Sequence, residues 1–210
     1  MFCFSINILL VSFKLDINKF ISTQGWCITM KKIHRGDDGY TDIFGVRLPK
    51  DSPIIEFIGE LDEFVSLIGL VKAILRKDAK LLDITNNLTE IQKKLMYIAS
   101  YIAKGGTLKA VPPIAYNDII NLEKDINNLW GNISVNRFVI PGATEESALI
   151  HLLRTICRRV ERRAAKLLRD RIIDPLTYAY LNRLSDWLYI IALYINKIKE
   201  TKEEYLIERS

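Results

Sequence analysis

Residues 174–196 read DPLTYAYLNRLSDWLYIIALYIN, and the spacing of their apolar side chains decides the fold class. Asp174-Pro175 supplies a capping carboxylate and then a proline at the first helical position, where a missing N–H is harmless. Leu181, Leu184, Leu188, Ile191 and Ile195 recur by three and four, the period of one helix face. No other seam in the chain is as regular. A helix with so continuous an apolar stripe has to bury it, so this one is expected at the centre of a helical bundle.

The same signals repeat toward the N-terminus. Thr144 caps a preceding helix, with Glu145 and Glu146 at the positive end of its dipole. Leu149, Leu153, Ile156, Val160 and Leu167 form its stripe. Before it, residues 130–142 read as a loop closed by Pro141-Gly142, and Pro112-Pro113 opens a shorter helix ending near Leu129. A helix over about 80–103 faces Leu81, Leu88, Ile91, Leu95 and Ile98 inward, and Lys104-Gly105-Gly106 stops it. Ser52-Pro53 starts the first helix, where Ile54, Ile58, Leu61, Val65 and Ile68 recur. Gly59 and Gly69 interrupt that helix at up to about 1 kcal/mol each against alanine, which points to a close backbone or ligand approach. The expected fold is all-α, a five-helix up-and-down bundle over residues 30–198. A glycine-rich loop (35–45) precedes it, and a charged tail (199–210) is expected to fray.

The balance of 49% hydrophobic and 26% charged residues is that of a globular domain, and 210 residues suffice for one core. A net charge of +5 suits an anionic ligand such as a nucleotide and indicates neither nucleic acid nor membrane. The three cysteines, Cys3, Cys27 and Cys157, form no CxxC and no paired framework; they fit a reducing, cytoplasmic setting and offer no zinc site. Residues 1–15, MFCFSINILLVSFKL, are apolar but too short to span a bilayer, and they lack the basic start and small-residue cleavage site of a signal peptide. Met30 stands just before Lys31-Lys32-Ile33. Residues 1–29 are therefore expected to be a non-native or poorly ordered extension, with an extra β-strand as the alternative.

Five segments can carry chemistry. In Arg35-Gly36-Asp37-Asp38-Gly39-Tyr40-Thr41, the glycines let backbone amides approach phosphate oxygens, and an aspartate can hold Mg²⁺ or orient the loop. Alone it is also an ordinary surface turn, and no Gly-Lys-Ser/Thr follows to make it a Walker loop. Arg154, Arg158 and Arg162 share one helix face, with Arg159 and Arg163 about 100° round. Their mutual repulsion would be relieved by a triphosphate or by facing carboxylates, and the bland alternative is a solvated basic face. RNA binding by the stripe lacks an aromatic platform.

In Gly59-Glu60-Leu61-Asp62-Glu63, Asp62 follows Ile58 by four and so lies near the apolar face, where a carboxylate needs a partner. The arginines of the fourth helix are the natural supply. Asn182 and Asp186 share a face beside the leucine seam; Asn182 there is either a ribose or base reader or a helix–helix hydrogen bonder. Phe138, before Pro141-Gly142, reads as a loop anchor packed on the core.

In order and together, RGDDGYT, FIGELDEF, FVIPGA, LRTICRRVERR and LNRLSDWL resemble the motifs of the PduO-type ATP:corrinoid adenosyltransferases. Those motifs are Thr-Gly-Asp-x-Gly-x-Thr, Tyr-Gly-x-x-Asp-Glu-Leu, Phe-x-x-Pro-Gly-Gly, Ala-Arg-Thr-x-x-Arg-Arg-x-Glu-Arg and Asn-Arg-Leu-Ser-Asp. The resemblance covers about residues 31–196. It implies a homotrimer of five-helix bundles with ATP between neighbouring subunits. Gly36, Asp37, Asp38, Gly39, Tyr40, Thr41 and Lys50 would grip the triphosphate. Arg158, with Ile156, Cys157, Arg159 and Glu161, would contact ATP, and Asn182 the nucleoside.

By the same resemblance, Asp62 and Arg154 would form a salt bridge at the subunit junction, and Phe138 would sit against the lower face of the corrin. The implied reaction transfers the 5′-deoxyadenosyl group of ATP to the Co(I) of cobalamin or another corrinoid, releasing triphosphate. Mg²⁺ would enter mainly through the ATP phosphates, with no metal site of the protein's own. An external reductase would supply the electron for Co(II). Nucleic acid and membrane are not among the implied partners.

The departures from the family pattern include three at the loops and the first helix. His34-Arg35 replaces the first threonine of the loop, Ala143 replaces the second loop glycine, and Ile58 replaces the tyrosine of the first helix. The altered loop favours one alternative, a non-catalytic nucleotide- or corrinoid-binding sensor or carrier. The retained Asp62, Phe138, Arg154 and Arg158 favour the enzyme over it, and over a purely structural bundle.

Overall fold

The computed structural model describes residues 35–43, 45–108, 110–131, 133, 135 and 137–206. The expectation for residues 1–29 lies outside them, as does His34. The chain divides into two compact units between Lys50 and Asp51.

In the first unit, β1 (Tyr40–Ile43) and β2 (Val46–Pro49) pair antiparallel, with Tyr40 opposite Pro49 and Asp42 opposite Arg47. Gly45, at φ +83°, takes the left-handed conformation of the connecting turn. Part of the expected loop is therefore a hairpin: the Tyr40–Ile43 backbone, folded back at Gly45, is satisfied by pairing with β2.

The second unit is a bundle of five helices: α1 (Pro53–Leu75), α2 (Leu82–Ala103), α3 (Tyr116–Trp130), α4 (Glu145–Arg169) and α5 (Pro175–Ile198). Three starts follow the expected caps. Ser52 Oγ accepts from the Ile55 N–H at 3.5 Å, Thr144 Oγ1 from Ser147 at 3.2 Å, and Asp174 Oδ1 from Thr177 at 2.9 Å. The third helix begins later than Pro112-Pro113 predicts. A residue before proline is pushed away from helical geometry, so the helix waits for Asp118, which accepts from the Ala115 N–H at 2.9 Å.

α5 packs on α3 and α4, and α4 also packs on α1, which packs on α2. Thirteen α5 residues are buried, including all five of the expected seam, so α5 is central. On α1 the buried line is Phe57, Leu61, Phe64, Ile68, Val71 and Leu75. Ile54, Ile58 and Val65 are only half-buried, because the two phenylalanines hold the seam and displace them to its flank. On α4, Ile150, Cys157 and Ala164 join the expected stripe, while Leu149 is half-buried.

Of the two interrupting glycines, Gly69 faces Gln92 at ordinary contact distance and Gly59 faces open space, so packing within the chain requires neither. Gly106 is different. At φ +59°, a Cβ there would stand 2.0 Å from the Ile172 carbonyl oxygen, which accepts from the Thr107 N–H at 3.0 Å. This contact ties the α2–α3 connection to the α4–α5 turn.

The tail does not fray where it is described. β4 (Glu204–Tyr205) pairs antiparallel with β3 (Val139–Ile140). Among the described residues, no helix is long and apolar enough to cross a membrane.

Candidate active site

The hairpin unit holds the glycine-rich segment by a residue that the motif does not contain. Arg47, opposite Asp42 on β2, donates through Nη2 to the Arg35 carbonyl at 3.0 Å and to both Asp38 carboxylate oxygens at 2.5–2.7 Å. Its guanidinium also lies 5.6 Å from the Tyr40 ring centroid. Asp38 accepts from the Tyr40 N–H at 3.2 Å, and hydrogen bonding from Arg47 holds its carboxyl below the usual carboxylate range. Asp38 thus orients the loop. Arg35 is paired with Asp42 at 2.9 Å.

Asp37, Asp38, Gly39 and Tyr40 are exposed, and Gly36 and Thr41 half-buried. Gly39, at φ +80°, accepts through its carbonyl from the Lys50 N–H at 2.9 Å. A Cβ on Gly36 would meet Lys50 Nζ at 3.2 Å, so the bare backbone lets the lysine amine lie over the loop. The result is a glycine turn with the Lys50 ammonium against Gly36 and Arg47 committed to Asp38, a turn whose amides and lysine can meet an anion.

In the bundle, α4 divides its arginines between two tasks. Arg159 donates to Glu60 and Glu63 of α1, and Arg163 lies 2.9 Å from Glu56 and 3.8 Å from Glu60. These carboxylates, which the motif reading did not single out, relieve the repulsion along the helix. Arg154, Arg158 and Arg162 point elsewhere. Among the described residues neither Arg158 nor Arg162 has a carboxylate partner, and both are exposed.

Asp62 is exposed and makes no ion pair with Arg154 within the chain. Ile58 stands at the flank of the α1 seam, so the residue one turn on lies outside the core rather than beside it. Arg154 instead rests over the Tyr189 ring, 5.2 Å from its centroid, a cation–π support from α5. His151, one turn before Arg154, is 5% exposed, and its Nε2 has no hydrogen-bond partner. Burial, then Arg154, pushes its pKa down.

Ile156 and Cys157 face the core, so Arg158, Arg159 and the half-buried Glu161 are the members of that segment that reach the surface, and Arg159 is taken by Glu60 and Glu63. Burial pushes the Cys157 thiol up, Glu161 and Asp186 add to that shift, and Arg158 and Arg154 oppose it. Its Sγ donates to the Leu181 carbonyl at 3.5 Å. The next residue on each helix, Arg158 and Asn182, emerges at that level of the α4–α5 seam. Asn182 is exposed rather than buried, and among the described residues it bridges no helices. Asp186 is held by Arg183 at 2.7 Å. Phe138, expected as a core anchor, is 76% exposed.

Residues 32–195 match the protein family described as Cobalamin adenosyltransferase. The chain belongs to that family. A corrinoid adenosyltransferase of Bacillus subtilis (strain 168) is 34% identical over 167 residues, covering 77% of this chain and 83% of the relative. Corrinoid adenosyltransferase MMAB of Homo sapiens is 31% identical over 182 residues, 80% of this chain and 69% of the relative. Among solved structures, a phenylalanine-to-alanine variant of the PduO-type ATP:corrinoid adenosyltransferase from Lactobacillus reuteri, complexed with cobalamin and ATP, superposes with a TM-score of 0.78. It is 28% identical and covers 83% of this chain and 98% of that one. An arginine-to-lysine variant of that enzyme, complexed with ATP, gives a TM-score of 0.76, again at 28% identity, covering 82% and 97%.

Two residues that the geometry brings forward, one in each unit, lie outside the family motifs. Arg47 is three residues before Lys50 and has no spacing signal, because its partner Asp38 meets it only across the hairpin. Tyr189 directly follows the LNRLSDWL segment, half-buried, and could have been found as an aromatic at the edge of the α5 seam.

Proposed function

We propose that the chain transfers the 5′-deoxyadenosyl group of ATP to Co(I) of a corrinoid, with the hairpin unit and the outer arginines of α4 dividing the work. The Gly36–Gly39 turn and Lys50 bind the triphosphate, and Arg47 keeps the turn in shape through Asp38. Arg158 contacts ATP from the bundle, and Asn182 reads the nucleoside. Co(I) carries a nucleophilic electron pair. It attacks C5′, the C5′–oxygen bond breaks, and triphosphate leaves with that bond's electrons. Cations already fixed where the leaving charge grows lower the barrier without reorganising. No nucleophile of the protein is required.

Asp38 is committed to Arg47, and among the described residues no group of three or more His, Cys, Asp or Glu side chains is gathered as a metal site. We place Mg²⁺ on the ATP phosphates, where it would neutralise charge.

The observation that carries the corrinoid half of this reading is Phe138, 76% exposed on its loop. Burying a phenylalanine is worth about 1.5–3 kcal/mol, so a fold that leaves one in solvent forgoes that gain. Set against the lower face of a corrin, the ring excludes an axial ligand whose electron donation makes Co(II) hard to reduce. A reductase that delivers the electron, a cytoplasmic setting and a homotrimer complete the proposal. Asp62 and Arg154, unpaired with each other within one chain, pair across subunits at the site.

Anaerobic incubation with ATP, Mg²⁺ and chemically reduced cobalamin, followed by visible spectroscopy, should show conversion to adenosylcobalamin. No conversion by a folded protein refutes the activity. Phe138→Ala should slow turnover started from Co(II) plus reductant more than turnover started from pre-reduced Co(I). Equal losses refute the assigned role of the ring.

A further inference from the structure

The loop that carries Phe138 has little core of its own. Phe138 is exposed, Val139 half-buried and Ile140 exposed. What holds the loop is the C-terminal segment. The Leu206 N–H donates to the Phe138 carbonyl at 2.8 Å, and Tyr205 and Glu204 pair with Val139 and Ile140.

That segment is itself anchored to the bundle at three places. Asn196, 1% exposed at the end of α5, accepts from Thr144 Oγ1 at 2.7 Å and donates through Nδ2 to Glu203 at 2.9 Å. The Thr201 N–H donates to the Asn196 carbonyl at 2.9 Å. Lys199 bonds Glu146 in the first turn of α4 and stands 3.4 Å from Asp78. Glu203 and Tyr205 also act electrostatically on Tyr189, the ring beneath Arg154.

We propose that the C-terminal strand β4 is a positioning element for the reaction: through the Leu206 N–H it fixes the backbone of Phe138 and so sets the ring's place against the corrin. The inference rests on the corrin-facing role of Phe138. A ring on an untethered two-residue strand has no fixed height above the loop, whereas exclusion of an axial ligand requires the ring to occupy one place persistently. The brace transmits the position of the rigid α5 terminus, by way of the buried Asn196, to an otherwise exposed aromatic. An N–H at residue 206 is required for this, and the Leu206 side chain, 52% exposed, is not.

Leu206→Pro deletes that one donor. The extended Tyr205 already has the conformation that a following proline imposes. Leu206→Ala keeps the donor and trims only exposed side chain. Turnover is measured from Co(II) plus reductant and from pre-reduced Co(I), together with the visible and electron-spin-resonance signature of Co(II) that has lost its lower axial ligand when bound with ATP. Leu206→Pro is expected to lower the Co(II)-started rate and the ligand-free Co(II) fraction about threefold to tenfold, the effect of one hydrogen bond. Its Co(I)-started rate and its helical circular dichroism should remain those of the parent, and Leu206→Ala should match the parent in every readout.

Phe138→Ala is run alongside. If it shows the selective Co(II) loss and Leu206→Pro does not, the brace is overturned while the role of the ring stands. If Phe138→Ala shows no selective loss, the ring's role and the brace fall together. Equal losses from Co(I) and Co(II) in Leu206→Pro also overturn the brace, because they mark a general structural defect.

Discussion

Replacing Arg158 by alanine tests the division of labour along α4. The side chain is exposed and has no carboxylate partner among the described residues, so its loss strands no buried acceptor. Folding stability should change by no more than about 0.5 kcal/mol. A cation poised against the charge developing on a leaving triphosphate is worth far more: loss of one such preorganised group costs about 10²–10³ in kcat, or about 2.7–4 kcal/mol. Arg163→Ala is the matched control. It removes the same charge from the same helix, but its guanidinium is held 2.9 Å from Glu56, with both side chains well exposed at 50% and 39%. It should cost about 0.5–1 kcal/mol of stability and little activity.

The assay is anaerobic turnover with ATP and pre-reduced corrinoid, read in the visible spectrum, beside urea denaturation of each variant. Two results would refute the reasoning. Near-parental kcat in Arg158→Ala removes its phosphate role. An equal activity loss in Arg163→Ala shows that the positive field of the helix, rather than one placed guanidinium, matters.

Arg47→Ala should release Asp38 and loosen the glycine turn; a rise in KM for ATP of about tenfold, larger than the fall in kcat, is expected from losing its charge-assisted bonds. His151 sets a pH dependence. Its pKa is lowered from 6.5 in the folded chain, so below that pH the unfolded chain binds a proton that the folded chain refuses. Stability should therefore fall as pH drops below about 6.5, by up to about 1.4 kcal/mol per unit, and His151→Leu should flatten the denaturation midpoint between about pH 6.5 and 5. An unchanged slope in that variant rules His151 out as the source. Gly106→Ala would drive a Cβ to 2.0 Å from the Ile172 oxygen and should destabilise the bundle by about 2–5 kcal/mol in urea titrations; a loss below 1 kcal/mol would show that this joint between connections yields.

The sequence by itself determined the five helices, three of their four named starting caps and the central place of α5, because helix periodicity and capping are local and survive being read along one line. Its ordered motifs also determined the family, since glycine turns, arginine spacing and the Phe-x-x-Pro-Gly loop are written in contiguous residues. Partnership was not legible. Arg154, Arg158, Arg159, Arg162 and Arg163 look alike in the chain, and only the packing of α1 against α4 decides that Glu56, Glu60 and Glu63 claim Arg159 and Arg163 and leave Arg158 outward. Only the hairpin brings Arg47 to Asp38. The return of β4 fastens the Phe138 backbone, and the placement of that residue in the fold turns an expected anchor into an exposed ring. These are matters of tertiary contact and burial, whose free energy depends on distance and packing, which spacing along the chain does not encode.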